Sequence, residues 1–159
     1  MKRLTVEVFR EYEEVTLYSV KLEENDKNET DRFIERFLES EEFAQDFYTI
    51  ISWIDKIGRD GALERYFRPE GRALAIPIDS KHYLRLYCYR VNDQILVLGN
   101  GGIKSAKTAQ ESEDCAPHFA LMNKVANKIY WGIQNGDTVI RGNFLEGKLT
   151  FNYKTEDNE

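Results

Sequence analysis

Three runs of β-forming residues follow one another in the middle of the chain, and they constrain the fold more than any other feature. They span Arg72 to Ile78, Tyr83 to Val91 and Gln94 to Gly99. The pair Asn92-Asp93 separates the last two runs, and two turn-forming residues between β runs predict a tight hairpin. The three runs therefore predict neighbouring strands that pair as a meander.

A first helix is predicted after the polar loop at residues 23–28. Asn28 or Thr30 can cap it, because such side chains accept hydrogen bonds from the free backbone amides at a helix start. The helix places its apolar residues on one face. These residues are Phe33, Ile34, Phe37 and Leu38.

A second helix is predicted to begin at Ser40, since the acidic pair Glu41-Glu42 suits the positive end of a helix dipole. Gly58 and Gly61 are predicted to end it. Its apolar residues recur with the 3.6-residue period of an α-helix. They are Phe43, Phe47, Ile50, Ile51, Ile54 and Ile57.

Both ends of the chain add further elements. Residues 4–9 and 15–22 favour an N-terminal strand, although the first segment fits the start of a helix equally well. Pro117 suits the first turn of a third helix, which Asn135-Gly136 ends. The tail predicts a hairpin that pairs Thr138–Arg141 with Lys148–Tyr153.

Bulk properties limit the class of protein. A length of 159 residues indicates one domain over residues 1–159. No apolar run is long enough for a membrane-spanning helix, and the acidic N-terminus does not read as a signal peptide. Cys88 and Cys115 lack the spacing of a zinc site or a disulfide framework. His82 and His118 are too isolated to indicate a metal site. We therefore expect a reduced, soluble, cytoplasmic protein without metal or cofactor.

Charge is distributed unevenly along an acidic chain. The formal net charge is −6, yet residues 56–107 carry 10 Lys and Arg against 5 Asp and Glu. The first 55 residues hold 7 basic against 15 acidic side chains. A basic segment inside an acidic protein indicates a localised anion site rather than general affinity for nucleic acid.

Side-chain alternation in the run Tyr83–Val91 divides it into two faces. Leu84, Leu86 and Cys88 suit a core against the first two helices. The other face interleaves one guanidinium with phenols, as a surface that binds phosphate and stacked bases would. Alternatively, this face is an ordinary half-exposed strand on which tyrosines pack against an arginine stem. The second face holds Tyr83, Arg85, Tyr87 and Tyr89.

Basic residues flank the three predicted strands. Arg65, Arg68 and Arg72 lead into the first strand, and Lys104 and Lys107 follow the last. A meander would bring Arg68, Arg85 and Lys104 into one cleft, whereas a solvated charged face is the plainer alternative. The segment 99–102, Gly-Asn-Gly-Gly, lacks the spacing of a nucleotide-binding loop. It predicts a turn or β-bulge that lets Lys104 reach the cleft.

The segment RYFRPEGRALAIPI, followed by YLRLYCYRVNDQILVLGNGGIKSAKT, resembles the RelE/HigB branch of the RelE/ParE toxin superfamily, including its phage-derived Gp49-like proteins. The resemblance covers about residues 15–125 and leaves 130–159 as a C-terminal extension. It rests on an arginine-containing lead-in, an Arg within an alternating strand, a hydrophobic strand and a loop with lysines. The matching residues are Arg65, Tyr66, Arg68, Leu84, Arg85, Leu86, Tyr87, Ile95 to Leu98, Lys104 and Lys107.

The resemblance implies an α+β fold. A small twisted antiparallel sheet would pack on an N-terminal helical hairpin, with a C-terminal helix and a β appendage. It also implies the toxin of a type II toxin-antitoxin system, a metal-independent endoribonuclease that cleaves mRNA on the ribosome. A cognate antitoxin of the helix-turn-helix type would be its partner.

The resemblance further implies roles for individual residues. Arg85 would stabilise the transition state, while Lys104 and Arg68 would bind phosphate, one of them assisting proton transfer. Tyr87 or Tyr83 would stack on a base. The remaining RNA-binding candidates are Tyr89, Arg65 and Lys107.

Three features depart from the family pattern. Toxins of this family are usually basic, whereas this chain is acidic, and Ser105 and Ala106 stand where more basic residues are common. The tail after Ile129 extends beyond a minimal toxin, and it offers Tyr130 and Tyr153 as candidates for a C-terminal catalytic residue without assigning either. The alternative is a non-catalytic protein-interaction module on a degenerated RelE-like scaffold. Its acidic N-terminal helices and its tail would then bind a protein partner.

Overall fold

A computed structural model describes residues 1–76 and 83–155 of the chain. Within these ranges the strands are β1 (Lys2–Glu11), β2 (Thr16–Leu22), β3 (Arg68–Glu70), β4 (Ala73–Ile76), β5 (Leu84–Asn92), β6 (Ile95–Ile103), β7 (Thr138–Arg141), β8 (Phe144–Gly147) and β9 (Thr150–Tyr153). The helices are α1 (Glu29–Phe37), α2 (Ala44–Asp60) and α3 (Ala116–Asn135). Residues 77 and 78 of the first predicted strand, and His82, lie outside the described residues.

The described strands form a seven-stranded sheet in the order β3-β4-β5-β6-β2-β1-β9, with β7 and β8 pairing separately. The three predicted central strands do form a meander, because β4, β5 and β6 pair antiparallel in succession. β2, however, lies parallel to β6, with Thr16 opposite Ile95. The sheet is therefore mixed rather than antiparallel.

Two hydrophobic clusters cover the two faces of the sheet. On one face α1 and α2 bury Phe33, Phe47 and Ile54 against the central strands. On the other face α3 buries Met122 and Val125. Successive residues of β6 alternate between these clusters, as the two-residue period of a strand requires. The result is a helix–sheet–helix arrangement with both faces of the central strands buried.

The predicted fold class, a small antiparallel sheet packed on a helical hairpin in a RelE-like arrangement, is wrong. The sheet is larger because β1 and β9 extend it beyond β2, and it is mixed because β2 lies parallel to β6. Helix α3 covers the face opposite α1 and α2 instead of lying beside a minimal sheet. No local pattern in residues 2–11 or 150–153 predicts the partner strand of either segment.

Local signals at the N-terminal helices were confirmed in part. Asn28 is the N-cap of α1, its side chain accepting a hydrogen bond from the amide of Asp31 at 2.8 Å. Thr30 instead bonds the Ser19 hydroxyl inside the core at 2.6 Å. Helix α2 begins at Ala44, four residues after the predicted start, and runs through Gly58 before Gly61 ends it at φ +114°.

The two ends of the chain differ from expectation in their pairing. Residues 2–11 are a strand, so the alternative of an N-terminal helix is wrong. The predicted tail hairpin is also wrong, because Thr138–Arg141 pairs with Phe144–Gly147. The last strand pairs with β1 instead, with Leu4 opposite Phe151. Both pairings are antiparallel, so strand propensity alone does not distinguish them.

Candidate functional site

Five of the eight predicted site residues line one surface cavity of about 410 Å³. Arg68 comes from β3, Arg85 from β5, and Tyr83 precedes β5. Lys104 and Lys107 come from the segment after β6, together with Ser105 and Ala106. This cavity, which we call the basic pocket, therefore collects side chains that lie up to 39 positions apart in the sequence.

A β-bulge in β6 shapes the wall of the basic pocket. Leu86 faces Gly101 and Cys88 faces Leu98, so Tyr87 alone lies opposite two residues of β6. The bulge that the Gly-Asn-Gly-Gly segment predicted is thus confirmed. A Cβ atom at Gly101 would lie 1.7 Å from the carbonyl oxygen of Arg85, so only glycine permits this approach of the two strands.

Arg85 is buried, with 2% of its surface exposed, although it lines the basic pocket. Its guanidinium donates a hydrogen bond to the carbonyl of Leu84 at 2.9 Å. An arginine side chain stays protonated in proteins, so burial does not remove its charge. Arg85 therefore supplies a positive charge at the base of the pocket, while Lys104 and Lys107 lie closer to solvent.

Residues 103–107, which we call the lysine segment, present side chains to the pocket. The backbone amides of residues 103–106 form hydrogen bonds to other parts of the chain. The amide of Ile103 donates to Asp114 at 2.7 Å and that of Lys104 to the carbonyl of Tyr83 at 2.7 Å. Those of Ser105 and Ala106 both donate to the hydroxyl of Ser112. An anion in the pocket would therefore be recognised by side chains rather than by a backbone nest.

The expectation that Tyr83, Arg85, Tyr87 and Tyr89 form one open surface is wrong. Helix α3 covers this face, so Tyr87 has no exposed surface and its ring meets that of Phe119 in a T-shaped contact at 5.7 Å. Burial raises the pKa of Tyr89, which packs at the edge of the same core. Tyr83 is 65% exposed and is the one of these tyrosines that lines the pocket.

Arg65 also lies apart from the basic pocket. Its guanidinium sits 5.3 Å from the ring centre of Tyr66 in the short 3₁₀ turn before β3. Arg72 instead stacks on Tyr130 of α3, with its guanidinium carbon 4.1 Å from the ring centre. The three arginines that lead into the meander therefore lie in different places. Arg68 lines the basic pocket, Arg65 lies against Tyr66, and Arg72 stacks on Tyr130.

Four residues that the sequence did not single out hold the pocket walls in place. Asp46 in the first turn of α2 accepts hydrogen bonds from the amides of Tyr83 and Leu84 at 2.7 and 3.1 Å. Ser112 and Asp114 hold the lysine segment, and Arg36 of α1 binds Asp114. No local signal marks them, because their partners lie as far as 78 positions away.

Other possible sites have less support. The described residues hold no group of three or more His, Cys, Asp or Glu side chains that could bind a metal ion. No described helix is both long and apolar enough to cross a bilayer.

Comparison with known proteins adds no identification. No protein-family model matches the chain, and neither a curated protein nor a solved structure matches it.

Proposed function

We propose that the basic pocket binds single-stranded RNA and cleaves it, so that the chain acts as an RNA-directed toxin. The observation that carries this proposal is the convergence of Arg68, Arg85 and Lys104 in one cavity. Phosphate groups favour such clusters of Arg and Lys, and Arg in particular matches the geometry of phosphate oxygens. Because mRNA is translated on ribosomes in the cytoplasm, the proposed activity would take place there.

The reaction requires a base, a proton donor and a group that stabilises negative charge in the transition state. The 2′-hydroxyl loses its proton to a base and attacks the adjacent phosphorus, while the bond from phosphorus to the 5′-oxygen breaks and that oxygen receives a proton. Extra negative charge develops on the phosphoryl oxygens in the transition state. Arg85 suits the stabilisation of that charge, because a buried guanidinium is already oriented before RNA binds.

The remaining residues of the pocket suit substrate binding. Lys104 and Arg68 would bind phosphate oxygens, and one of them would assist proton transfer. Tyr83 supplies an exposed ring on which a base can stack, since every base has a π-face. Lys107 would bind a neighbouring phosphate. Unstacked single-stranded RNA fits this arrangement, because a duplex keeps its bases from stacking on a side chain.

A second candidate function is a non-catalytic interaction with a protein partner. The outer face of α2 lines a groove of about 720 Å³ that combines Glu41 and Glu42 with Tyr48 and Trp53. Tyr48 is 69% exposed there. Carboxylates beside an exposed aromatic ring suit a basic segment of a partner. In the toxin proposal, the partner would be an antitoxin of the helix-turn-helix type.

The test is induction of the chain in a bacterial host beside a Lys104→Gln variant. Lys104 lies on a surface segment, so this variant removes charge from the pocket without opening the core. We expect growth arrest and new mRNA 5′ ends with the wild type and neither with Lys104→Gln. Lys128→Gln on the exposed face of α3 is the matched control and should behave as wild type.

Other outcomes separate the two candidate functions. Folded, well-expressed wild type that neither arrests growth nor cuts mRNA would refute the nuclease and favour the interaction module. Arrest with unchanged cleavage by Lys104→Gln would show that Lys104 has no part in the reaction.

A further inference from the structure

One ion pair joins α1 to the segment that carries Lys104. Both guanidinium Nη atoms of Arg36 lie 3.0 Å from the two carboxylate oxygens of Asp114, in a fork-to-fork geometry. The Oδ2 atom of Asp114 also accepts the amide hydrogen of Ile103 at 2.7 Å. A single carboxylate thus ties the helix to the last residue of β6.

The backbone of β6 comes unusually close to this carboxylate. A Cβ atom at Gly102 would lie 2.5 Å from Oδ2 and 2.9 Å from the backbone oxygen of Asp114, so a larger residue at this position would displace Asp114. Gly102 faces Arg85 across the β5–β6 pair. Asp114 therefore holds β6 at residues 102 and 103, opposite Arg85 and next to Lys104, which are two of the four cationic residues of the pocket.

The carboxylate of Asp114 stays charged over a wide range of pH. Burial by itself raises its pKa, but the hydrogen bonds from Arg36 and Ile103 and the charge of Arg36 outweigh that effect. The pKa of Asp114 is therefore lowered from its ordinary value of 3.8. The link to Arg36 and Ile103 therefore persists at neutral pH.

We infer that Arg36 is a positioning residue for the basic pocket, acting through Asp114 and Ile103 to hold Lys104 against bound RNA. This inference rests on the proposed RNA-binding function. Arg36 lines a different cavity and does not border the basic pocket, so its influence on RNA would be indirect.

If the ion pair only stabilised the fold, loss of Arg36 would weaken RNA binding no more than it lowers the stability of the protein. The Arg36 and Asp114 side chains are 43% and 35% exposed, and ion pairs of this kind contribute little to the stability of a fold. Loss of Arg36 should therefore leave the melting temperature nearly unchanged. An effect on RNA that exceeds the effect on stability is the mark of positioning.

The test is a double-mutant cycle between Arg36→Gln and Lys104→Gln, read out as affinity for a labelled single-stranded RNA. Arg36→Gln alone should weaken binding about fivefold or more. In the Lys104→Gln background it should weaken binding less than about twofold, because its route to RNA is then gone. Equal effects in both backgrounds would overturn the inference.

Arg59→Gln is the matched control. Arg59 lies in the last turn of α2 and pairs with Asp55 at 2.7 Å, and both side chains are exposed and lie apart from the lysine segment. It should bind RNA as the wild type does, while Arg36→Lys should restore part of the affinity that Arg36→Gln loses. Equal losses of affinity for Arg59→Gln and Arg36→Gln would overturn the inference, because they would reflect net charge alone.

Amide hydrogen exchange gives a readout that does not depend on RNA. The amides of Ile103, Ser105 and Ala106 should exchange faster in Arg36→Gln than in the wild type or Arg59→Gln. Unchanged exchange would overturn the positioning role even if RNA binds. Faster exchange in a protein whose wild type binds no RNA would support the link to the segment and refute the proposed function alone.

Discussion

The salt dependence of RNA binding measures directly how many charges of the basic pocket meet phosphate. Four cationic side chains line that pocket, namely those of Arg68, Arg85, Lys104 and Lys107. Each phosphate contact to a single strand contributes about −0.7 to the slope of log affinity against log salt concentration. If all four side chains engage, we expect a slope of about −2.8.

The perturbation is Lys104→Gln, which should reduce this slope by about 0.7. Between about 50 and 200 mM salt, the affinity of the wild type should then fall about 50-fold and that of the variant about 20-fold. Lys107→Gln should act in the same way. Arg85 is a poorer choice for this experiment, because its burial means that truncation would also leave a cavity.

Fluorescence anisotropy of a labelled, unstructured RNA oligonucleotide is a suitable assay. Lys128→Gln removes the same charge from α3 outside the basic pocket, so it should keep the slope of the wild type. The reasoning is refuted if Lys104→Gln and Lys128→Gln change the slope equally, or if the wild type shows no salt dependence.

Two further predictions concern the fold around the pocket. Gly101→Ala should destabilise the protein by about 3 kcal/mol in urea unfolding, because the new methyl group would collide with the backbone of Arg85. Gly136→Ala, which meets no atom within 4 Å but has φ +86°, should cost only about 1 kcal/mol, and equal losses for the two variants would contradict the proposed clash. Burial lowers the pKa of His118 below its ordinary 6.5, so the unfolded chain binds its proton first and stability should fall as the pH drops from 6.5 to the lowered pKa. His118→Gln should flatten this part of a plot of melting temperature against pH, and an unchanged slope would contradict the lowered pKa of the half-buried imidazole.

Much of the site could be predicted from the sequence because its signals are local. The alternation in β5 assigned Leu84, Leu86 and Cys88 to the face that packs on α1 and α2, where the structure places them. The hairpin, whose turn is at Asp93 and Gln94 and so lies one residue beyond the predicted pair, and the bulge in β6 then bring Arg85 and Lys104 into one cavity. Each of these steps depends on backbone geometry within a few residues.

Tyr87 shows where such reasoning fails. Strand alternation placed it correctly on the face of Arg85, but alternation does not say what covers a face. Helix α3, which begins 29 positions later, covers Tyr87 and leaves Tyr83 exposed. Tyr83 is therefore the tyrosine that we propose to stack on a base of the RNA, and Tyr87 has no such role.

The sequence by itself determined the helices, the central meander and the set of cationic residues, because hydrophobic period, caps and turns are properties of neighbouring residues. Only the tertiary structure decided that β2 lies parallel to β6, that β9 joins β1, and that Arg36 reaches Asp114. These contacts join residues far apart in the chain, and strands of similar propensity can pair in several ways. Packing of the whole chain selects among these pairings, and the arrangement adopted buries both faces of the central strands.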